Sequence, residues 1–231
     1  MGGRPELRLA SSLRPGGGGV APAPGRNPPE WRRNGSFSQR SVAIMVRVIA
    51  GKFKHQRLTT LQGPETRPTS DKLKETLFNL IREDVEESVF LDCFSGSGSV
   101  GIEALSRGAR DVTLIECAPR AVKVIERNLK NLSPAPPDRV TLLVRPVQVS
   151  LRILQRRMCK FDIVFIDPPY DAVQHYPQTL KQIHRCRILA PRACVILEHS
   201  RRLTLQPRYH DLSRVRQVRH GDSQLSLYRE T

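Results

Sequence analysis

Residues 91–101 read Leu91-Asp92-Cys93-Phe94-Ser95-Gly96-Ser97-Gly98-Ser99-Val100-Gly101. An apolar run leads into glycines at G-x-G-x-x-G spacing, and a helical segment follows to about residue 107, where Gly108 can cap it. Glycines let the backbone approach a bound cofactor closely, and Glu116, at the end of the next predicted strand, is placed to accept ribose hydroxyls. This stretch therefore predicts a cofactor site at the first strand of an α/β sheet.

Predicted strands and helices alternate regularly after residue 88. The strands are expected at 89–93, 112–116, 140–144, 161–166 and 193–198, and the helices at 99–107, 119–132, 149–158 and 178–187. A hairpin of strands 215–219 and 223–228, joined at Gly221-Asp222, closes the chain. This order predicts a mostly parallel sheet with helices on both faces and an antiparallel last hairpin.

A second motif, Asp167-Pro168-Pro169-Tyr170, follows a run of β-branched and aromatic residues that reads as a buried parallel strand. Open α/β sheets bind ligands at this end of their strands. The Asp167 carboxylate and the Pro168 carbonyl can each accept one N–H of an exocyclic base amine, and Tyr170 can stack on the base. The motif therefore predicts methyl transfer to a base amine.

Asp92 distinguishes two cofactors that share the glycine pattern. A carboxylate here suits the amino group of the methionine moiety in S-adenosylmethionine, whereas it would repel the pyrophosphate of NAD. Glu198 and His199, which end the fifth strand, either line the edge of the pocket or begin an exposed loop. His175 has no partner ligands at a suitable spacing, so we expect no metal site.

The composition is strongly basic. The 231 residues hold 38 Lys and Arg against 22 Asp and Glu, for a net charge of +16 and a pI near 10.5. Most of that charge lies after residue 44, so the folded body suits a polyanionic partner; a generic basic ribosome-associated protein is the alternative. The five cysteines form no C-x-x-C pair, which favours a reducing, cytoplasmic compartment. No apolar run reaches the roughly 20 residues that span a membrane.

Residues 1–44 are rich in Gly, Pro, Arg and Ser and cannot bury a core, so we predict disorder there. They read either as an organelle transit segment or as upstream sequence before a true start at Met45. We expect one folded domain over residues 45–231. It divides into a small N-terminal unit, 45–85, and an α/β core, 86–231.

The N-terminal unit combines a hairpin with a helix that Thr69 or Ser70 can cap and whose apolar face is Leu73, Leu77, Phe78, Leu80 and Ile81. The basic residues of the hairpin make it either a solvated surface element or an arm that contacts RNA phosphates. The helix reads either as a packing element or, with Arg67 and Thr69 before it, as an element whose start closes over a ligand. The candidate RNA-binding residues of the hairpin are Arg47, Lys52, Lys54 and Arg57.

Four segments, in this order, resemble the RsmD-like family of bacterial 16S rRNA guanine-N2 methyltransferases. The segments are Arg47 to Gly51, Arg67 to Asn79, Leu91 to Gly108 and Asp167 to Tyr170. The resemblance covers about residues 45–230. It implies a class I S-adenosylmethionine-dependent methyltransferase fold, with a seven-stranded sheet, acting on a guanine of 16S rRNA in an assembled or assembling 30S subunit. Nothing in the sequence requires a dimer, so we expect a monomer.

The resemblance also implies roles for single residues. The cofactor site would take in Arg67, Thr69, Asp92, Ser95, Gly96, Gly98 and Glu116, and the target-amine site Asp167, Pro168 and Tyr170. One departure concerns Arg145-Pro146-Val147, where the family commonly has Asp or Asn followed by Ala. The polar side chain that would meet the adenine amine is missing, so we expect weaker cofactor affinity than in relatives with the acid.

Three other functions remain open from the residues alone. A DNA adenine-N6 methyltransferase uses the same tetrapeptide, although about 186 residues of body leave little room for a separate target-recognition region. An NAD-dependent oxidoreductase would use the glycine pattern but leaves the tetrapeptide unexplained. A non-catalytic RNA-binding protein would need neither motif. The tetrapeptide itself allows adenine or guanine as the target, and only the family resemblance favours guanine.

Overall fold

The computed structural model describes residues 8–9, 45–61, 71–136, 138–169 and 172–230. Five helices and eleven strands lie in these ranges. In chain order they are β1 Arg8–Leu9, β2 Met45–Arg47, β3 Arg57–Thr59, α1 Asp71–Leu80, β4 Val89–Asp92, α2 Ser99–Ser106, β5 Asp111–Glu116, α3 Pro119–Lys130, β6 Val140–Val144, α4 Val147–Arg156, β7 Phe161–Ile166, α5 His175–Cys186, β8 Leu189–Ser200, β9 Arg208–Tyr209, β10 Leu212–His220 and β11 Ser223–Glu230.

The main sheet has the order β1-β6-β5-β4-β7-β8-β11-β10-β9, and β2 and β3 form a separate antiparallel pair. The strands from β6 to β8 are parallel, and β11 and β10 close the sheet as an antiparallel hairpin. This confirms the predicted α/β fold of the class I S-adenosylmethionine-dependent methyltransferases. The sheet has nine strands among the described residues, not seven, because β1 and β9 pair at its edges; strands of two residues leave no periodicity in a sequence.

Within residues 1–44, the structure describes only Arg8 and Leu9, which pair in parallel with Thr141 and Leu142 of β6. These two residues form a short strand in the structure, and the disorder of the segment stays a prediction. The remainder of that prediction, and the choice between a transit segment and a misassigned start, lie outside the described residues.

Side chains along the parallel strands alternate between two buried clusters, one on each face of the sheet. Phe90 and Ile163 belong to the cluster that α1, α2, α3 and the β2–β3 hairpin cover. Leu91 and Val164 belong to the cluster that α4 and α5 cover. The predicted N-terminal unit therefore shares the core of the α/β body and is an extension of it.

A buried ion network fixes the hairpin to α2. The Glu103 carboxylate accepts the backbone N–H groups of Ile49 at 2.8 Å and Ala50 at 3.0 Å, and it pairs with Arg107 at 2.8 Å. Lys74, fully buried on α1, donates to the Arg47 carbonyl at 2.7 Å and lies 3.9 Å from Glu103. Burial lowers the pKa of Lys74, and the Glu103 carboxylate opposes that shift. These contacts fix the position of the hairpin along the axis of α2.

Candidate active site

The glycine-rich stretch and the Asp167 motif meet where the strand order reverses. Strands β5 and β6 lie on one side of β4, and β7 and β8 lie on the other. Because β4 and β7 are parallel neighbours, with Asp92 paired to Phe165, their carboxyl ends lie side by side at one edge of the sheet, here called the carboxyl edge. Ligands of open α/β sheets bind in the crevice at such a reversal. The structure therefore brings together the two motifs that the sequence singled out.

The turn after β4 contains two glycines with left-handed backbone angles. Gly96 has φ +54° and Gly98, which caps α2, has φ +77°. A side chain at Gly96 would meet no atom within 4 Å, whereas one at Gly98 would touch Ile125 at 3.4 Å. The open space at Gly96 leaves room for a cofactor to lie against the backbone. Both glycines lie at the predicted cofactor site.

Ser95, also predicted as a cofactor ligand, is used within the protein. Its hydroxyl donates to the Asp92 carbonyl at 3.1 Å and accepts the Ile115 N–H at 3.1 Å. Its own N–H donates to the Ile115 carbonyl at 3.0 Å. The buried side chain thus ties the turn to β5, so its part in the site is to position the backbone.

The Glu116 carboxylate at the end of β5 has three backbone donors. One oxygen accepts the Gly96 N–H at 2.9 Å, and the other accepts those of Cys117 and Ala118 at 2.8 Å each. A carboxylate has about four acceptor positions, so one on the Gly96 side is left for a hydroxyl donor. This arrangement fits the predicted contact to a ribose.

Asp92 is a buried carboxyl with an orphaned oxygen. The residue is 1% exposed, and its Oδ1 has no hydrogen-bond partner among the described residues. Burial, assisted by the nearby Glu116 carboxylate, raises the pKa of Asp92 to about 7. A buried acceptor without a partner costs free energy unless a ligand satisfies it. The site therefore fits a ligand with a cationic donor, such as the amino group of S-adenosylmethionine.

Asp167 follows β7 on the same edge. Burial raises the pKa of Asp167 well above its ordinary value, and the carboxylates of Glu198 and Asp92 raise it further. The side chain is half-buried, Pro168 is buried and Pro169 is exposed. Tyr170, predicted to stack on the base, lies outside the described residues, as do Arg67 and Thr69.

Three side chains next to the site are buried, namely those of Tyr176, Glu198 and His199. Glu198 and His199 are buried near the end of β8, which excludes the exposed loop start and leaves the pocket edge of the two positions that the sequence allowed. Tyr176 lies on α5, which begins before the helix predicted at 178–187, and donates its hydroxyl to the Glu198 carbonyl at 2.7 Å. The sequence did contain a sign of this placement, because Glu198 follows an apolar run just as Asp92 and Asp167 do.

Asn128 of α3 joins the hairpin to the turn after β4. Its amide exchanges two hydrogen bonds of 2.9 Å with the Thr59 backbone and donates a third of 2.9 Å to the Ser97 carbonyl. The Asn128 side chain therefore links the end of the hairpin at Thr59 to the glycine turn. Helix periodicity marks Asn128 as no more than a polar residue, so the sequence did not identify this link.

The four predicted RNA-binding residues divide into two groups. Arg47 and Arg57 face each other across the hairpin, near the start of α1, where Arg47 pairs with Asp71 at 3.3 Å. Both arginines line a cleft of about 410 Å³. Lys52 and Lys54 lie in the turn that docks on Ser106, at the end of α2 remote from the glycine turn. Only the arginine pair thus lies towards the carboxyl edge.

Pro146 occupies the N-cap position of α4 and is exposed at the end of β6. It offers no side-chain acceptor there, so the expectation of weaker cofactor binding stays a prediction. No cluster of three or more His, Cys, Asp or Glu suited to a metal ion occurs among the described residues. In the same part of the chain, every helix is too short or too polar to cross a membrane.

Comparison with known proteins identifies the family. A family model described as "Conserved hypothetical protein 95" matches residues 46–229. "Putative rRNA methyltransferase YlbH" of Bacillus subtilis is 32% identical over 185 residues, which are 80% of this chain and 99% of that protein. The chain belongs to the RsmD-like family. The "Ribosomal RNA small subunit methyltransferase D" of Haemophilus influenzae is 39% identical over 127 residues, which are 54% of this chain and 64% of that protein.

A solved structure supports the same placement of this RsmD-like chain. "Putative methyltransferase yhhF" from Escherichia coli superposes with a TM-score of 0.66 at 28% identity. The match covers 80% of this chain and 98% of that one. The family model, which matches residues 46–229, spans both motifs and the closing hairpin.

Proposed function

We propose that this RsmD-like protein transfers a methyl group from S-adenosylmethionine to the exocyclic N2 amine of a guanine in small-subunit rRNA. The observation that carries the proposal is the meeting of Asp167 with the glycine turn at the carboxyl edge. A methyl donor and an amine acceptor have to lie within reach of each other for direct transfer. The names of the relatives, which describe rRNA methyltransferases, support RNA as the substrate.

The cofactor is held by residues on β4 and β5. Asp92 offers its orphaned carboxylate oxygen to the methionine amino group, and the free acceptor position of Glu116 takes a ribose hydroxyl. The space at Gly96 admits the bound molecule against the backbone. When bound, S-adenosylmethionine supplies an electrophilic methyl group on its sulfonium.

The target amine is oriented from β7. Its lone pair is delocalised into the guanine ring, so it is a weak nucleophile until it is held in a favourable geometry. The Asp167 carboxylate accepts one N–H and the Pro168 carbonyl accepts the other, which turns the nitrogen lone pair towards the methyl donor. Tyr170 stays predicted to stack on the base. Catalysis in this site is positioning and electrostatics, without a covalent bond between protein and substrate, and the Asp167 carboxylate is placed to take the proton that the amine loses when it is methylated.

The RNA backbone is expected to cross the basic surface beside this crevice. Arg47 and Arg57 lie on the side of the hairpin towards the carboxyl edge, where they can neutralise phosphates next to the target base. The partner is 16S rRNA or the assembling 30S subunit, and the protein acts as a monomer.

Methyl transfer to different nucleic acids tests this function. The purified protein is incubated with labelled S-adenosylmethionine and 30S particles, free 16S rRNA or duplex DNA. The expected product is N2-methylguanosine in the ribosomal substrate. Label in duplex DNA alone would instead show an adenine-N6 methyltransferase, and nicotinamide binding without methyl transfer would show an oxidoreductase.

A further inference from the structure

A third carboxylate lies beside Asp167 on the side away from Asp92. β7 and β8 are parallel neighbours in which Phe165 pairs with Ile196 and Ile166 with Leu197. The next residues along these strands are Asp167 and Glu198. Side chains alternate along a strand, so Glu198 is directed to the same face of the sheet as Ile196, and Asp167 to the same face as Phe165. Ile196 and Phe165 share one core cluster, which places the two carboxyl groups together.

Three acidic side chains therefore form a row along the carboxyl edge. Asp92 is the last residue of β4, Asp167 directly follows β7, and Glu198 lies two residues before the end of β8, on neighbouring strands of the sheet. Strands lie about 4.8 Å apart, so each end of the row is one strand away from Asp167. The Glu198 carboxylate is, after burial, the largest contributor to the raised pKa of Asp167. This electrostatic coupling agrees with the placement that the strand register gives.

The position of Glu198 is fixed by its surroundings. The residue is 8% exposed, and the buried Tyr176 hydroxyl donates to its backbone carbonyl at 2.7 Å. Placing a carboxylate beside another one in a buried setting costs free energy, because like charges repel and water is excluded. A carboxylate at this position has several acceptor positions to offer a substrate donor, a use that an apolar side chain would not serve.

The chemistry of the proposed substrate supplies that use. If guanine N2 is the target, its two amine hydrogens are directed at Asp167 and Pro168. Guanine carries one more donor on the same edge, N1–H, beside the amine. Adenine has an acceptor nitrogen at the position beside its own amine, and a carboxylate there would repel it.

We infer that Glu198 is a specificity residue, whose carboxylate accepts the guanine N1–H and so selects guanine over bases with an acceptor at that position. This inference rests on the proposed function. It assigns the two ends of the acidic row to different partners. Asp92 faces the cofactor, Glu198 faces the far part of the base edge, and Asp167 holds the amine between them.

The test uses a base that keeps the amine and loses the N1–H. 2-Aminopurine carries the exocyclic amine of guanine beside an acceptor nitrogen. Small-subunit particles are assembled from 16S rRNA in which the mapped target guanosine is either retained or replaced by 2-aminopurine. The ratio of kcat/KM for the two substrates is measured for the wild-type protein and for Glu198→Gln, with Glu83→Gln as an exposed control.

The wild-type protein is expected to prefer guanosine by roughly 10- to 100-fold, since an ionic hydrogen bond to N1–H would be replaced by two opposed acceptors. In Glu198→Gln the amide can donate to an acceptor nitrogen, so the ratio is expected to fall towards one. Glu198→Asp, which keeps the charge, and Glu83→Gln are expected to keep the preference for guanosine.

Two results would overturn the inference while leaving the proposed function intact. One is equal methylation of both substrates by the wild-type protein, which needs no variant and so does not depend on whether a variant folds. The other is a loss of activity in Glu198→Gln with an unchanged ratio, which would show a structural role. Failure of the wild-type protein to methylate guanosine itself would contradict the proposed function, and the inference would fall with it.

Discussion

At the scale of single residues, the cofactor site is defined by a carboxyl group whose protonation depends on its burial. Asp92 has a pKa of about 7, raised chiefly by desolvation, so it is partly protonated at neutral pH without a ligand. A cationic amino group binds the ionised form. Cofactor binding is therefore coupled to the loss of a proton from this residue.

We predict that the affinity for S-adenosylmethionine rises with pH between 6 and 8. With one linked proton and a pKa of about 7, the dissociation constant should fall about tenfold over that range. Isothermal titration calorimetry on the wild-type protein and on Asp92→Asn measures this dissociation constant at each pH. The variant should bind more weakly, with a flat profile. An equally steep profile in Asp92→Asn would assign the proton to another group.

We predict that the Asp167 carboxyl orients the substrate amine and contributes little to RNA affinity. Asp167→Ala should lower the single-turnover rate of methyl transfer by about 100-fold or more, because one of the two amine acceptors is lost. Asp167→Asn, which retains an acceptor oxygen, should lose less. Filter binding should give an RNA affinity within a few-fold of the wild-type value for both variants. A parallel loss of RNA binding would mean that Asp167 supports the fold of the RNA-binding surface.

At the scale of secondary-structure elements, the position of the β2–β3 hairpin depends on a close backbone contact. Gly51 has φ +81°, and a Cβ there would lie 1.8 Å from the Ser106 carbonyl oxygen. The neighbouring Lys52 N–H donates to the same oxygen at 2.7 Å. Only glycine permits this approach of the hairpin to the end of α2.

Gly51→Ala should therefore destabilise the protein more than a comparable change elsewhere. Gly221→Ala is the matched control, because Gly221 has φ +58° but a Cβ there would meet nothing within 4 Å. The left-handed backbone alone should cost about 1–2 kcal/mol, and the clash at Gly51 about 1–3 kcal/mol more. Urea unfolding of both variants gives the difference. Equal losses would show that the hairpin can shift without penalty.

Most elements could be predicted because their signals are local. β6 and β7 were predicted to the residue from their apolar runs. The start of α5 was placed three residues too late, since Pro177 suggests a loop although the first turn of a helix accepts proline. β8 extends beyond the predicted 193–198 at both ends.

Long-range partners limit what the sequence can predict about the site. Asp92, Gly96, Glu116 and Asp167 follow from motif spacing, whereas the buried position of Glu198 depends on its neighbouring strand and α5. Lys74 reads as a surface residue of α1, yet its partners Arg47 and Glu103 lie far from it in sequence. Pairings of this kind leave no periodic signal.

At the scale of the whole molecule, the net charge of +16 predicts RNA binding that weakens as salt rises. Each phosphate contact contributes about 0.7–0.9 to the slope of log affinity against log salt concentration. The hairpin offers an internal comparison, because Arg47 and Arg57 lie towards the carboxyl edge and Lys52 and Lys54 lie at the opposite end of α2.

The double variant Arg47→Ala/Arg57→Ala should lower the salt slope by roughly one for each arginine that contacts a phosphate. Lys52→Ala/Lys54→Ala removes the same charge and should leave the slope nearly unchanged. Fluorescence anisotropy with a labelled 16S rRNA fragment at several salt concentrations measures both. A larger effect of the lysine pair would place the RNA at the other end of the hairpin.

In the proposed function, the carboxyl edge methylates a guanine of small-subunit rRNA. Mass spectrometry can test this by mapping N2-methylguanosine in 16S rRNA from cells that lack the protein and from the same cells complemented with wild-type protein or Asp167→Ala. One N2-methylguanosine should disappear in the deletion, return with the wild-type protein and stay absent with Asp167→Ala. An unchanged set of N2-methylguanosines in the deletion would contradict the claim.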